Sequence, residues 1–134
     1  MPNVYFVSGH LDLSPLEFEI YYKPQLEKAL EDSEACFVVG DARGTDRMAQ
    51  DFLKTRTSKV NVYHMHNFPR NCVGPFNKVG GFSRDSERDI AMTRHSTHDI
   101  TWVKPGREGS GAEKNLLRRQ KPVKSDRYGN ETKR

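Results

Sequence analysis

Four short apolar blocks, each followed by a helix-type segment, constrain the fold of this chain more than any other feature. They are Val4-Tyr5-Phe6-Val7, Ala35-Cys36-Phe37-Val38-Val39, Val60-Asn61-Val62-Tyr63-His64-Met65 and Asp99-Ile100-Thr101-Trp102-Val103. The first two are continuously apolar, as strands buried on both faces are, and the third alternates. Ser14-Pro15-Leu16-Glu17 opens a helix, with Ser14 as cap, Pro15 at its first position and Glu17 closing a capping box. That helix is predicted to run to about Asp32, with a kink or break near Pro24. Thr45 or Asp46 caps a second helix through Leu53, whose apolar face carries Met48, Ala49, Phe52 and Leu53. Further helices are predicted from Arg84 to about His95 and from Ala112 to about Arg119. Strand and helix alternating in this way specify an α/β domain with a mostly parallel sheet between helical layers. Residues 66–83, with Pro69, Gly74, Pro75, Gly80 and Gly81, read as a long irregular connection of the kind that is functional or mobile. Tyr5, Phe6, Phe37 and Trp102 are expected in the core, while Phe68, Phe76 and Phe82 either stack on a ligand base or anchor their loop.

Length and composition narrow the class. At 134 residues and 34% hydrophobic, the chain suits one domain with one core, not a two-domain enzyme or a large ligand-filled barrel. No apolar run reaches the ~20 residues that span a bilayer. The start, Met1-Pro2-Asn3-Val4, reads as carrying no secretion signal. Two cysteines, Cys36 and Cys72, are too few for a disulfide framework, so a reduced, cytoplasmic protein is expected. The net charge of +4 is concentrated at one end. Residues 114–134 hold eight Lys/Arg and two acids, which leaves 14 basic and 16 acidic residues in the body. Residues 1–120 are read as the folded domain, and 121–134 as a basic tail expected to be disordered and solubilising. A near-neutral body is not expected to take nucleic acid as a partner. No membrane is expected as a partner either, and a homo-oligomer is left open.

In parallel α/β folds ligands lie outside the carboxyl ends of the strands. Three glycine-bearing strand exits fall on that rim: Ser8-Gly9-His10, Gly40-Asp41-Ala42-Arg43-Gly44, and Pro105-Gly106-Arg107-Glu108-Gly109-Ser110-Gly111. Glycine admits close backbone approach, and helix N-termini offer free amides and partial positive charge, so an anionic ligand fits. Candidate ligand-binding residues are Ser8, Gly9, His10, Gly40, Asp41, Gly44, Asp46, Gly106, Gly109, Ser110 and Gly111. Asp46 serves either as a helix cap or as a contact to a ligand hydroxyl. No P-loop motif occurs, and the Gly-x-Gly-x-x-Gly dinucleotide pattern does not follow the first strand. His64 and His66 near Cys72, and His95 with His98, give no four-ligand zinc spacing, so no metal and no cofactor are expected.

Pro105-Gly106-Arg107-Glu108-Gly109-Ser110-Gly111-Ala112-Glu113 resembles the Pro-Gly-Gly-x-Gly-Thr-x-x-Glu signature of the Lonely Guy phosphoribohydrolases, with Arg107 in place of a glycine and Ser110 in place of threonine. Arg88-Asp89-Ile90-Ala91-Met92 resembles that family's Arg-Lys-x-x-Met motif, with Asp89 in place of lysine. Gly40-Asp41-Ala42-Arg43-Gly44-Thr45-Asp46-Arg47-Met48-Ala49 is similar to the Gly-x-Ala-x-Gly-Ala-Asp-x-x-Ala segment of small Rossmann-like proteins of the SLOG superfamily. The resemblance spans most of residues 4–119. It implies a Rossmann-like nucleotide-binding domain over 1–120, a nucleotide-derived ligand and, in some members, hydrolysis of the N-glycosidic bond of a nucleoside 5′-monophosphate. That reaction builds positive charge on the ribose, which a carboxylate stabilises. Glu113 is the candidate catalytic carboxylate and Arg88 its candidate partner or substrate-orienting group. Ser110 and Glu113 also form a capping box in their own right. Two other readings stand beside the hydrolase: a nucleotide-sensing module without catalysis, and a nucleoside 2-deoxyribosyltransferase-like enzyme with a carboxylate nucleophile.

Overall fold

Each apolar block becomes a strand because helices cover it on both sides. The computed structural model describes residues 2–120, together with the short antiparallel pair Lys124–Ser125 and Glu131–Thr132. The other residues of the expected basic tail lie outside the described residues. β1 (Val4–Val7), β2 (Cys36–Gly40), β3 (Val60–Met65), β4 (Asn77–Phe82) and β5 (His98–Ile100) form one sheet, with every pairing parallel, in the order β4-β3-β2-β1-β5. The helices are α1 (Pro15–Tyr21), α2 (Lys23–Leu30), α3 (Thr45–Leu53), α4 (Asp85–Arg94) and α5 (Gly111–Gln120). This is a Rossmann-like α/β architecture.

The period of two along the strands divides the core. Val7, Phe37, Val39 and Val62 face a larger cluster with Phe18 of α1, Leu26 of α2, and Ala49 and Leu53 of α3. Phe6, Val38 and Tyr63 face the other side, where Met92 of α4 closes a smaller cluster. α5 packs beside α4 on that second face. Truncating a fully buried side chain such as Leu26 or Leu53 to alanine removes roughly 2–5 kcal/mol.

The structure corrects the sequence reading in three places and bears out the break in its first helix. The segment 66–83 is not irregular throughout, because Asn77–Phe82 forms edge strand β4. Paired on one side only, it needs little apolar content. Gly80 is required there because a Cβ would collide with the His64 ring. The break expected near Pro24 is present: the first long helix is two, parted at Tyr22, with Pro24 in the first turn of α2 and the helical run ending at Leu30. α3 is capped by Gly44, not by the side chain of Thr45 or Asp46. Gly44 has φ +75°, and a Cβ would collide with the carbonyls of His10 and Leu11. The last strand stops at Ile100, after which the backbone leaves the edge of β1 to meet side-chain partners instead.

Candidate functional site

Strand order reverses at β1, which lies between β2 and β5, and this switch point is where open α/β sheets place ligands. A cleft of about 480 Å³ opens there, within the range of small-molecule sites. Its walls come from five segments: Ser8–Asp12 after β1, Ala42, Arg43 and Asp46 after β2, Arg70 after β3, one side of α4, and Arg107 with the first turns of α5.

The β1 exit is held rigidly. The fully buried Tyr22 hydroxyl donates to the Ser8 carbonyl at 2.8 Å and accepts from the Trp102 amide at 3.0 Å. One side chain at the α1–α2 break thereby joins the exits of β1 and β5. The Thr45 amide and hydroxyl both donate to the His10 carbonyl, at 3.2 and 3.0 Å. The His10 Nε2 accepts from the Lys104 amide at 2.9 Å. That bond requires an unprotonated Nε2. Burial first, and then the Arg107 charge, lower the His10 pKa in agreement with it.

The floor is a network of carboxylates and guanidinium groups. Asp41 is fully buried and accepts from the Arg70 amide at 2.9 Å, from the Arg70 guanidinium through both oxygens, and from Arg88 Nη1 at 2.8 Å. Burial alone would raise the Asp41 pKa, but the Arg70 hydrogen bonds and the two cationic charges outweigh it and hold the carboxyl at about 2. Arg88 also donates through Nε and Nη2 to Asp89 and lies 3.3 Å from Asp85. Asn115 of α5 secures the other Asp89 oxygen at 3.2 Å. Asp46 differs from these carboxylates. It is 7% exposed, and its Oδ2 accepts from the Ala42 amide at 3.1 Å. No group among the described residues donates to its Oδ1, and Asp46 lines the cleft. Burial pushes the Asp46 pKa up to about 7; Arg88 counteracts it, and Asp89 and Asp41 add to it. Gly40 underlies this corner, since a Cβ there would fall 2.5 Å from Asp46 Oδ2 and 3.0 Å from Arg88 Cζ.

Two features give the opposite wall its polarity. Gly111 and Ala112, in the first turn of α5, line the cleft, and their amides have no hydrogen-bond partner among the described residues. Arg43 lines it too, and of the four arginines there it is the one unmatched by a carboxylate among the described residues; Arg107 is clamped by Asp12 at 2.6 and 3.1 Å. At the end of β1, Ser8 is 5% exposed, and its Oγ is buried without a hydrogen-bond partner.

Of the candidate residues, Ser8, Gly9, His10, Asp46, Arg88, Ser110 and Gly111 line this cleft together. Asp41 and Gly40 lie beneath it, and Gly44 caps α3 behind it. Gly106 and Gly109 make turns on the same rim, with φ +86° and +81°. Glu113 does not line the cleft. Its Oε1 accepts from the Gly109 amide at 2.8 Å, and its own amide donates to Ser110 Oγ at 3.3 Å, so it braces the loop in front of α5. Phe76 is core and Phe82 packs on Tyr63, whereas Phe68 is 83% exposed; none of the three reaches the cleft. Trp102 is half-buried and stacks on Tyr21 at 3.9 Å.

Sequence reasoning missed Arg70, Asp85, Asp89 and Asn115 as site residues, and Tyr22 and Gln50 as supports. Gln50 is buried on the α3 face, donating to the carbonyls of Gly40 and Asn71 and accepting from the Val73 amide. A polar residue between Ala49 and Leu53 on an apolar helix face was the available signal. His64, His95 and His98 bond to the Met65 carbonyl, the Tyr63 hydroxyl and Thr97 Oγ1. No group of three metal-type side chains gathers among the described residues. No protein-family model matches the chain, and no curated protein or solved structure matches it either.

Proposed function

We propose that the chain binds a nucleoside 5′-monophosphate or a related nucleotide in the cleft between the β1 and β5 exits. The observation that carries this reading is the Ser8 hydroxyl, buried and without a partner in a cleft that also holds two unbonded helix amides. An orphaned buried hydroxyl costs about 1–3 kcal/mol, a cost that a polar ligand offsets. The α5 amides and Arg43 suit a phosphate. The carboxylate corner suits the hydroxyl-bearing part of the molecule. A cytoplasmic setting fits this reading: Cys36 and Cys72 are free thiols, and no described helix is long and apolar enough to cross a membrane.

Cleavage of an N-glycosidic bond is the second reading. The position of Glu113, bound to the Gly109 amide and outside the cleft, favours binding without turnover. The carboxylates that line the cleft are Asp12, Asp46, Asp85 and Asp89. Calorimetry and thermal shift with nucleoside monophosphates and the matching free bases test the proposal. The monophosphate is expected to bind and stabilise the protein while the base alone does not. Equal shifts with AMP and adenine refute a phosphate subsite. Release of free base on incubation with any monophosphate, abolished in Glu113→Gln, restores the hydrolase reading.

A further inference from the structure

We propose that Asp46 reads the sugar of the bound nucleotide, accepting hydrogen bonds from the 2′- and 3′-hydroxyls, so that the cleft selects ribonucleotides over 2′-deoxyribonucleotides. The inference rests on the nucleotide reading above and adds the sugar class to it. Asp46 is buried and lines the cleft, with one oxygen satisfied by the Ala42 amide and no donor to the other among the described residues. Such a carboxylate needs a donor from a ligand. Arg88 does not supply it, because its donors go to Asp41 and Asp89 and it sits 3.3 Å from Asp85.

The charge of this corner decides which ligand group fits. Four carboxylates, Asp41, Asp46, Asp85 and Asp89, stand against two guanidinium groups, Arg70 and Arg88. A phosphate is repelled there and belongs at the α5 amides. Neutral donors are attracted, and a vicinal diol presents two of them side by side. Ser8 Oγ, buried and unpartnered on the neighbouring strand exit, is an independent sign that a polar ligand completes this part of the cleft.

The test uses the full chain and matched pairs: AMP with 2′-deoxy-AMP, GMP with 2′-deoxy-GMP, CMP with 2′-deoxy-CMP, and UMP with 2′-deoxy-UMP, plus IMP, which lacks the adenine amino group. At pH 8, where Asp46 is mostly ionised, the ribonucleotide of the preferred base is expected to bind at least about tenfold more tightly than its 2′-deoxy form, the value of one lost charge-assisted hydrogen bond. Asp46→Asn is expected to bring the ribonucleotide affinity down to that of the deoxynucleotide. Equal binding of a ribo and deoxy pair by the wild type overturns the proposal and leaves the nucleotide reading standing. Discrimination that persists in Asp46→Asn overturns it as well. A loss on going from AMP to IMP, with AMP and 2′-deoxy-AMP equal, assigns Asp46 to a base amino group and also overturns it. Binding of none of these nucleotides refutes the nucleotide reading itself, and the sugar assignment with it. The wild-type comparison needs no variant, and circular dichroism of Asp46→Asn separates lost recognition from lost fold.

Discussion

Replacing Asp46 by asparagine should stabilise the protein in mild alkali, against the usual direction of a buried-site substitution. In the folded chain the carboxyl titrates at about 7, against a reference value of 3.8. The folded state therefore binds more protons than the unfolded state between about pH 4 and pH 7, and stability falls as pH rises through that window. Below it both states carry the neutral acid and there is no penalty. Above it the penalty is complete. A difference of about three pKa units at 1.36 kcal/mol each puts the full cost of the buried anion at roughly 4 kcal/mol. About 2–3 kcal/mol of that accrues between pH 5 and pH 8. Asparagine keeps an oxygen for the Ala42 amide and carries no charge. The stability of Asp46→Asn relative to wild type should thus rise by about 2–3 kcal/mol from pH 5 to pH 8. Urea unfolding of both proteins at several pH values measures this directly. A stability difference that stays constant with pH, or a variant less stable than wild type at pH 8, refutes the account of Asp46 as a carboxyl raised by burial.

Three further perturbations address the supports of the cleft. Tyr22→Phe orphans the Ser8 carbonyl and the Trp102 amide and should cost about 2–4 kcal/mol in urea unfolding, with nucleotide affinity falling as the two strand exits separate. Gly44→Ala places a Cβ at φ +75° against the His10 and Leu11 carbonyls and should cost at least about 2 kcal/mol, read as a lowered Tm. Asp41→Asn should be destabilising near neutrality. Because the folded pKa of Asp41 is held at about 2, below its reference of 3.8, the wild-type advantage is present above about pH 4 and is lost as pH falls toward 2, so the wild-type and variant unfolding curves should be well separated at pH 5 and draw together at pH 2.5.

The central strands were legible because both of their faces are buried, which writes an unbroken apolar run into the sequence. β4 was not, since an edge strand pairs on one side and Asn77-Lys78-Val79-Gly80-Gly81-Phe82 has almost no burial to signal. The last strand was drawn too long because Trp102 and Val103 carry strand-type side chains, while the backbone there is claimed by Tyr22 and His10. The rim residues followed from strand exits alone. Which carboxylate faces the ligand did not. Asp46 and Glu113 both sit in the first turn of a helix, and only tertiary packing turns one toward the cleft and the other back toward its own loop. Arg70 belongs to the site through a connection whose sequence carries no period at all.

The strand order also has a consequence for how the cleft comes into being. β1 is flanked by β2 on one side and by β5 on the other, and β5 follows the other four strands in the chain. A growing chain can pair β1 through β4 while the second edge of β1 still has no neighbour. Only when residues 98–100 arrive does Val7 meet Ile100 and the Trp102 amide reach the Tyr22 hydroxyl, across eighty positions of sequence. Contacts of such long range are slow to close. During synthesis the cleft is therefore completed only after β5 has emerged, and the four-stranded sheet that precedes it exposes apolar β1 as its edge, the stage at which this chain is most open to pairing with another copy of itself.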